Sequence, residues 1–412
     1  MMTKSKASII ACVVLGAVAG AEPSSAVSPP VHVLTFGSHG SGPGQFKLPT
    51  DVAIDRLGNL YVVDGDNHRV QKFDSNGNYL FEWGSLGSAP GQFRFPTGIC
   101  IDSSGCVYIG DTSNHRVQKF SPTGFPLLSC GSFGTGPGQL HAPAGIAVDR
   151  AGNILVASYL SDRIVKFAPD GGFLLSWGST GSDSGKFSQP YGVTVDTAGF
   201  VLVADKNNNR VQKFTGAGAL VSLWGGWGQA PGRFDEPQAV HSDRRGNLYV
   251  SDKFNHRIQR FTAAGAFVCE WGVPGAAAGQ FNAPEGMRVD SEGSTIVIAD
   301  WLNDRIQKFV SVSTTGISTA EPPLAHRPLR IDSVHPNPAR NVATLRFAAR
   351  PGHLRLALFD LAGRRRLERD YEVENTATRA ATLDLRGLAP GLYLIRAQQG
   401  TACASARLAV IR

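Results

Sequence analysis

Gly44-Gln45-Phe46-Lys47-Leu48-Pro49 is the stretch on which the fold turns. The same pattern, Gly then Gln, Lys or Arg, then Phe or Leu, two free positions and Pro, starts again at Gly91, Gly138, Gly185, Gly232 and Gly279, each 47 residues after the last. The prolines keep step at Pro96, Pro143, Pro190, Pro237 and Pro284, and so do the aspartates Asp55, Asp102, Asp149, Asp196, Asp243 and Asp290. Self-similarity at one fixed period of this length marks a solenoid, a propeller or an array.

Working outward from Pro49, the unit reads as four short strands. Val52 to Ile54 comes first and ends at the polar turn Asp55 to Asn59, and Leu60 to Val63 comes second. Arg69 to Phe73 is third, closed by Asp74 to Gly77, and Tyr79 to Trp83 is fourth. Asp, Asn and Gly clusters between such runs are hairpin chemistry, and four-stranded sheets repeated radially make a propeller. The sixth unit stops after Phe309 without a fourth strand, whereas Val31 to Phe36, followed by Gly37, matches the fourth strand that ends at Trp83-Gly84. The expected fold is therefore all-β: a six-bladed propeller of four-stranded blades over 31–310, closed by its N-terminal strand, with an Ig-like β-sandwich over 329–412. Pairing the two ends of the ring removes an open sheet edge.

Asp64, Asn67, Arg69, Gln71, Lys72 and Phe73 resemble the NHL repeat. The Asp and Arg recur as Asp111/Arg116, Asp205/Arg210, Asp252/Arg257 and Asp300/Arg305, while blade three has Ser158 and Ser161 with Arg163. A residue needed once per blade reads first as structural, so each Arg is expected to bond its Asp across the second and third strands. His68, His115 and His256 share one repeat position and are spread around the ring, which argues against a common zinc site.

Charge and cysteine usage narrow the function classes. The net charge of +7 sits in the tail: 326–412 holds 15 Arg, no Lys and 7 acidic residues, leaving 25 basic and 26 acidic side chains elsewhere. A nucleic-acid-binding propeller would carry its own basic face, so no nucleic acid is expected. Lys4, Lys6, the apolar run Ile9 to Val18 and Ala19-Gly20-Ala21 read as a signal peptide over 1–21, leaving no transmembrane segment after its removal. Cys100, Cys106, Cys130, Cys269 and Cys403 read as core substitutions, with a local Cys100–Cys106 bridge as the alternative.

The stretch 311–328 reads as a linker, and short alternating strands return beyond it. His335-Pro336-Asn337-Pro338, Phe359 to Arg364 and Leu388 to Tyr393 resemble the type IX secretion C-terminal sorting domain and the Ig-like domain of flagellar-hook-capping proteins. That resemblance implies secretion machinery as a partner, a two-membrane bacterial envelope, and delivery to the cell surface or medium.

The expected function is an exported, non-enzymatic scaffold that binds protein or glycan at the cell surface through variable loops on one face, such as those carrying Asp183, Trp227, Gln229 and Phe254. The alternative is a metal-dependent enzyme at the channel mouth, since six-bladed relatives in shape include gluconolactonase-like esterases and streptogramin lyases. The ligand-binding candidates are Asp51, Tyr191, Gln238 and Glu285, just past the anchoring prolines, with His241 and Arg288 one strand step deeper. No cofactor is assigned, although Asp51, Gln238 and Glu285 offer three oxygens to a Ca²⁺ ion, which takes six to eight.

Overall fold

The computed structural model describes residues 28–311, 330–335, 339–348, 352–360, 364–373, 378–399 and 402–410. The signal-peptide reading and nearly all of the 311–328 linker lie outside these. The chain divides into two units, Met1–Thr314 and Thr315–Arg412.

In the first unit each 47-residue repeat becomes a four-stranded antiparallel sheet. Blade one runs from the inner strand Pro49–Ile54 through Leu60–Asp64 and Arg69–Phe73 to the outer strand Tyr79–Trp83. In blade six the inner three strands are Pro284–Val289, Thr295–Asp300 and Arg305–Val310, and Val31–Phe36 pairs antiparallel on the outside. The extra residue of this blade is taken up in its first turn: Asp290 N–H bonds the carbonyl of Thr295, where Asp55 N–H bonds that of Asn59.

The repeated residues explain themselves once folded. Phe46 is fully buried and packs on Phe73 with ring centroids 5.7 Å apart. The same pairing recurs as Phe93–Phe120, Phe187–Phe214, Phe234–Phe261 and Phe281–Phe309. The Asp64 carboxylate, also fully buried, accepts from Arg69 Nε at 2.8 Å, Asn67 Nδ2 at 2.9 Å, Gln71 Nε2 at 3.1 Å and the Lys47 N–H at 2.8 Å. Four donors on one carboxylate offset part of its desolvation, and burial still holds its pKa above the ordinary value. Arg69 Nη2 continues to the carbonyls of Gly42 and Gln45, fastening the loop that enters the blade.

The pairing recurs as Arg116 Nε to Asp111 and Arg210 Nε to Asp205, both at 2.7 Å, Arg257 Nε to Asp252 at 2.8 Å and Arg305 Nε to Asp300 at 2.7 Å. Each Arg does more than bond its Asp. A guanidinium has five donors, and the Nη groups of these residues are spent on the entering loop rather than on the carboxylate. Arg116 reaches the carbonyls of Ala89 and Gln92, and Arg210 those of Ser182, Asp183 and Lys186. Arg257 reaches those of Gln229, Ala230 and Arg233, and also the Glu270 carboxylate at 2.8 Å. Blade three lacks the acid, as its sequence shows: Ser158 and Ser161 bond each other at 2.6 Å, and among the described residues Arg163 Nε is buried without a partner. Arg163 still donates to the Gly136 and Gln139 carbonyls, so fastening the loop is the role common to all six.

The inner strands come close enough to exclude side chains at one level. A Cβ on Gly98 would lie 2.1 Å from the Ala144 carbonyl oxygen, and one on Gly192 would lie 2.4 Å from that of Gln238. Gly145 and Gly286 meet the same limit. Only Asp51 and Ala239 carry side chains on this layer.

Among the described residues, the second unit has seven strands in two sheets. One is ordered Arg330–His335, Val342–Ala348, Thr378–Asp384; the other is Arg365–Val373, Gly352–Asp360, Gly391–Gln399, Ala402–Val410. Alternating inward residues, among them Leu345, Leu354, Leu356, Ile395 and Leu408, build its core, as a sandwich requires. Tyr393 OH donates to the Ala389 carbonyl at 2.8 Å. Of the sorting-type motifs, 336–338 and 361–363 lie outside the described residues.

Candidate functional site at the central channel

Strand direction fixes the two mouths of the channel. Inner strands start on the face that carries the 4–1 and 2–3 loops, so Tyr191, Gln238 and Glu285 gather there. Glu285 is 4 % exposed and is the centre of the group. Its Oε1 accepts from Tyr191 OH, and its Oε2 accepts from Lys253 Nζ at 3.0 Å. Lys253 in turn lies over the Trp301 ring, 4.0 Å from the centroid. Burial, and then the Glu285 charge, hold the Tyr191 phenol well above its ordinary value. Gln238 Oε1 is buried with no partner among the described residues. Lys253 and Trp301 were missed in the sequence, because they sit in 2–3 turns where repeat chemistry masks individual roles.

Across the channel, Thr50 and Thr97 donate to carbonyls of the next blade. The half around Glu285 instead gathers the titratable groups Tyr191, Lys253 and Glu285. Asp51 lies one layer in, with its two oxygens taken by the N–H groups of Val52 at 2.8 Å and Ile99 at 3.0 Å. Burial pushes its carboxyl up to about 7; these two hydrogen bonds and Arg288 pull the other way, and Glu285 adds to the rise. The space left between the side chains here is about 20 Å³, room for one water.

Of the three residues offered to Ca²⁺, Asp51 is engaged by two backbone donors and Glu285 by Tyr191 and Lys253, which leaves Gln238 Oε1 alone without a partner among the described residues. Among the described residues, no group of three or more His, Cys, Asp or Glu side chains is placed to hold a metal. Cys100, Cys106, Cys130 and Cys269 are free thiols.

His241 and Arg288 do not join this mouth equally. His241 lines the narrow channel, and burial together with Arg288 holds its imidazole well below its ordinary value. Arg288 instead opens into a cavity of about 840 Å³ on the opposite face, among the 1–2 turns of blades one, two and six. Three residues along a strand is about 10 Å, enough to pass from one mouth toward the other. The repeated arginines stand apart from both places. Arg69, Arg116, Arg163, Arg210, Arg257 and Arg305 line neither the channel nor the cavity, and nor do the aspartates they bond.

The NHL repeat matches residues 46–73, 93–120 and 187–214, and the secretion system C-terminal sorting domain matches 333–411. The chain is an NHL-repeat propeller ending in a secretion sorting domain. The NHL propeller is an exported protein, carried to the bacterial cell surface or beyond by that domain. Among the described residues, no helix is long and apolar enough to cross a membrane.

The lin-41 protein of Caenorhabditis elegans is 44 % identical over 48 residues, 12 % of this chain and 4 % of that protein. The propeller therefore shares only about one repeat's length with this curated relative. A structure from Bacteroides thetaiotaomicron aligns with TM-score 0.52 and 18 % identity, over 67 % of this chain and 74 % of the other. A gluconolactonase from Xanthomonas campestris aligns with TM-score 0.51 and 14 % identity, over 69 % and 97 %. These likenesses concern the fold. They still correct the expectation that the NHL propeller is not an enzyme: the ring is shared with a catalyst, so the architecture gives no ground for that exclusion.

Proposed function

We propose that the NHL propeller is a recognition module outside the cell, whose loop face docks a protein partner. One observation carries this reading: apolar side chains stand exposed at repeat-equivalent tips of loops that are otherwise held rigid. After the fourth strand the tip residues include Leu86, Phe133 and Trp227, the last 75 % exposed. The 2–3 tips add Leu160, Phe254 and Leu302. Single exposed apolar residues are ordinary, but here they share one face. Their loops are fastened from inside by bonds such as Asn114 Nδ2 to the Gly87 carbonyl and the Gly232 N–H to Gln259 Oε1. Rigid aromatic anchors lose little entropy on binding, and the mix of Leu with Phe and Trp suits a protein surface better than a sugar ring.

The test is site-specific photo-crosslinking on producing cells, with the probe placed at Trp227 or at Leu127 on an outer strand. A discrete protein adduct from position 227 alone, weakened by Phe133→Asp, is the expected result. Equal adducts from both positions, or none from 227, would sink the proposal.

A second reading, catalysis at the loop-side mouth, rests on Asp51, whose carboxyl at about 7 is poised for proton transfer near neutral pH. Hydrolysis of simple lactones and aryl esters by the full chain would then rise as pH passes through about 7, since the base form is the carboxylate, and vanish in Asp51→Asn. No turnover on that panel, or turnover untouched by Asp51→Asn, removes this reading.

A further inference from the structure

The 840 Å³ cavity on the turn face lies within the size range of small-molecule sites. Its charged groups divide sharply by whether they are already engaged. The carboxylates belong to their own turns. Asp55 accepts from the N–H groups of Leu57 and Asn59, both at 2.9 Å, and from Asn59 Nδ2 at 2.8 Å. Asp102 accepts from the Ser104 and Cys106 N–H groups and from Tyr108 OH at 3.0 Å. Asp290 is filled by Ser294 N–H, Ser294 Oγ and Thr295 N–H.

Of the cations, Arg56 is exposed at the rim and two others are engaged. Lys72 sits 3.7 Å from Asp55 and over the Tyr61 ring, and Lys308 Nζ donates to the Ser75 carbonyl at 2.9 Å. Arg288 differs: among the described residues no hydrogen bond or ion pair meets its guanidinium. Asp51 favours its charge through space, yet both Asp51 oxygens are turned to backbone donors and neither bonds the guanidinium. Burial makes the unpaired charge costly, enough to lower the guanidinium's proton affinity. At the same repeat position stand Ala53, Cys100, Ala147, Thr194 and His241, so the fold does not require a cation there.

We propose that this cavity binds a small hydroxylated carboxylate, a sugar acid, with its carboxylate on the Arg288 fork. A guanidinium meets a carboxylate through two parallel N–H···O bonds. At the rim, the exposed Ser103 and Ser104 have hydroxyls with no bond to the protein among the described residues, and they meet the hydroxyls of the ligand. The site lies on the face opposite the proposed docking loops and stands independently of that reading.

The test is calorimetric titration of the full chain with D-glucuronate, D-galacturonate and neutral D-glucose at low salt. At least one of the two acids binds at a single site, at least about tenfold more tightly than glucose, because a charge-assisted bidentate pair is lost with the neutral sugar. Arg288→Gln lowers that affinity by about tenfold or more, and Arg288→Lys falls between, since a point charge lacks the fork. Ser104→Trp, which fills the rim without touching Arg288, also abolishes binding, and a melting curve shows each variant folded. The proposal is overturned if neither acid saturates the chain by about 10 mM, a limit that already corresponds to very weak affinity. It is equally overturned if glucose binds as well as the acids, or if a folded Arg288→Gln chain binds like the parent.

Discussion

His68, His115 and His256 show what a single repeated residue does in this ring. Each accepts, through Nδ1, the backbone N–H of the residue before the next blade's anchoring proline: Phe95 at 3.1 Å, Ala142 at 3.1 Å and Ala283 at 3.0 Å. At the other three joints the acceptor is an oxygen, from Asp162 to Gln189 and Asp304 to Leu48 at 2.7 Å, and from Asn209 to Glu236 at 2.9 Å. Both partners of every joint hold the left-handed backbone region, as at His115 (φ 57°) and Ala142 (φ 54°), so the bond pins a strained turn. An imidazole that accepts at Nδ1 must be neutral. Burial, with His141 beside it, holds His115 below its ordinary 6.5. Its latch therefore adds stability that is complete above 6.5 and is lost as pH falls through the lower folded value. His115→Asn keeps an acceptor that does not titrate. We expect it to match the parent at pH 8 in urea denaturation and to exceed it by about 1 kcal/mol near pH 5, one hydrogen bond's worth. Parallel stability curves for the two proteins across that range would show that the latch does not titrate.

At the scale of elements, the sequence was legible wherever physics acts within one repeat. Alternation and turn residues marked the strands from Val52 to Trp83, and the unmatched Val31 to Phe36 marked the closing strand. The bond from Arg116 to Asp111 was legible for the same reason, five residues apart on adjoining strands, whereas its reach to the Ala89 carbonyl, 27 residues back, was not. Interactions between repeats left no such trace. The pairing of His68 with Phe95 spans 27 residues and two blades, and the reading of these histidines went no further than rejecting zinc. Gly98, Gly145, Gly192 and Gly286 form the layer where neighbouring backbones touch, a contact between repeats that leaves no mark within one. Arg288 was read as a candidate one strand step past Glu285, yet its direction followed from strand rise rather than from residue type. The cavity it enters is lined by turn residues such as Asp55 and Asp102, whose repetition spoke only of hairpins.

For the whole molecule, closure of the ring couples these parts. Val31–Phe36 pairs with Arg305–Val310, with Phe36 opposite Ile306 and Leu34 opposite Lys308. Phe36 packs against Phe73 at 4.9 Å and against Phe46 at 6.3 Å, so the strand ties blade six to blade one. Across the same seam a Cβ on Gly286 would sit 2.3 Å from Asp51 Cα, and Arg288 faces the turns of blades one and two. Both the channel mouth and the turn-face cavity therefore depend on how tightly the ends of the ring are joined. Removing residues 28–36 from the chain would expose the edge of Arg305–Val310, a template for pairing with another copy, and empty the Phe36 site. We expect light scattering to show association and melting to show a loss of about 3–5 kcal/mol, the scale of deleting a buried aromatic. Phe36→Ala alone would lose part of that stability and stay monomeric, because the backbone pairing survives. A truncated chain that remains monomeric and as stable as the parent would mean that five blades and three strands suffice. Closure would then be incidental to both sites.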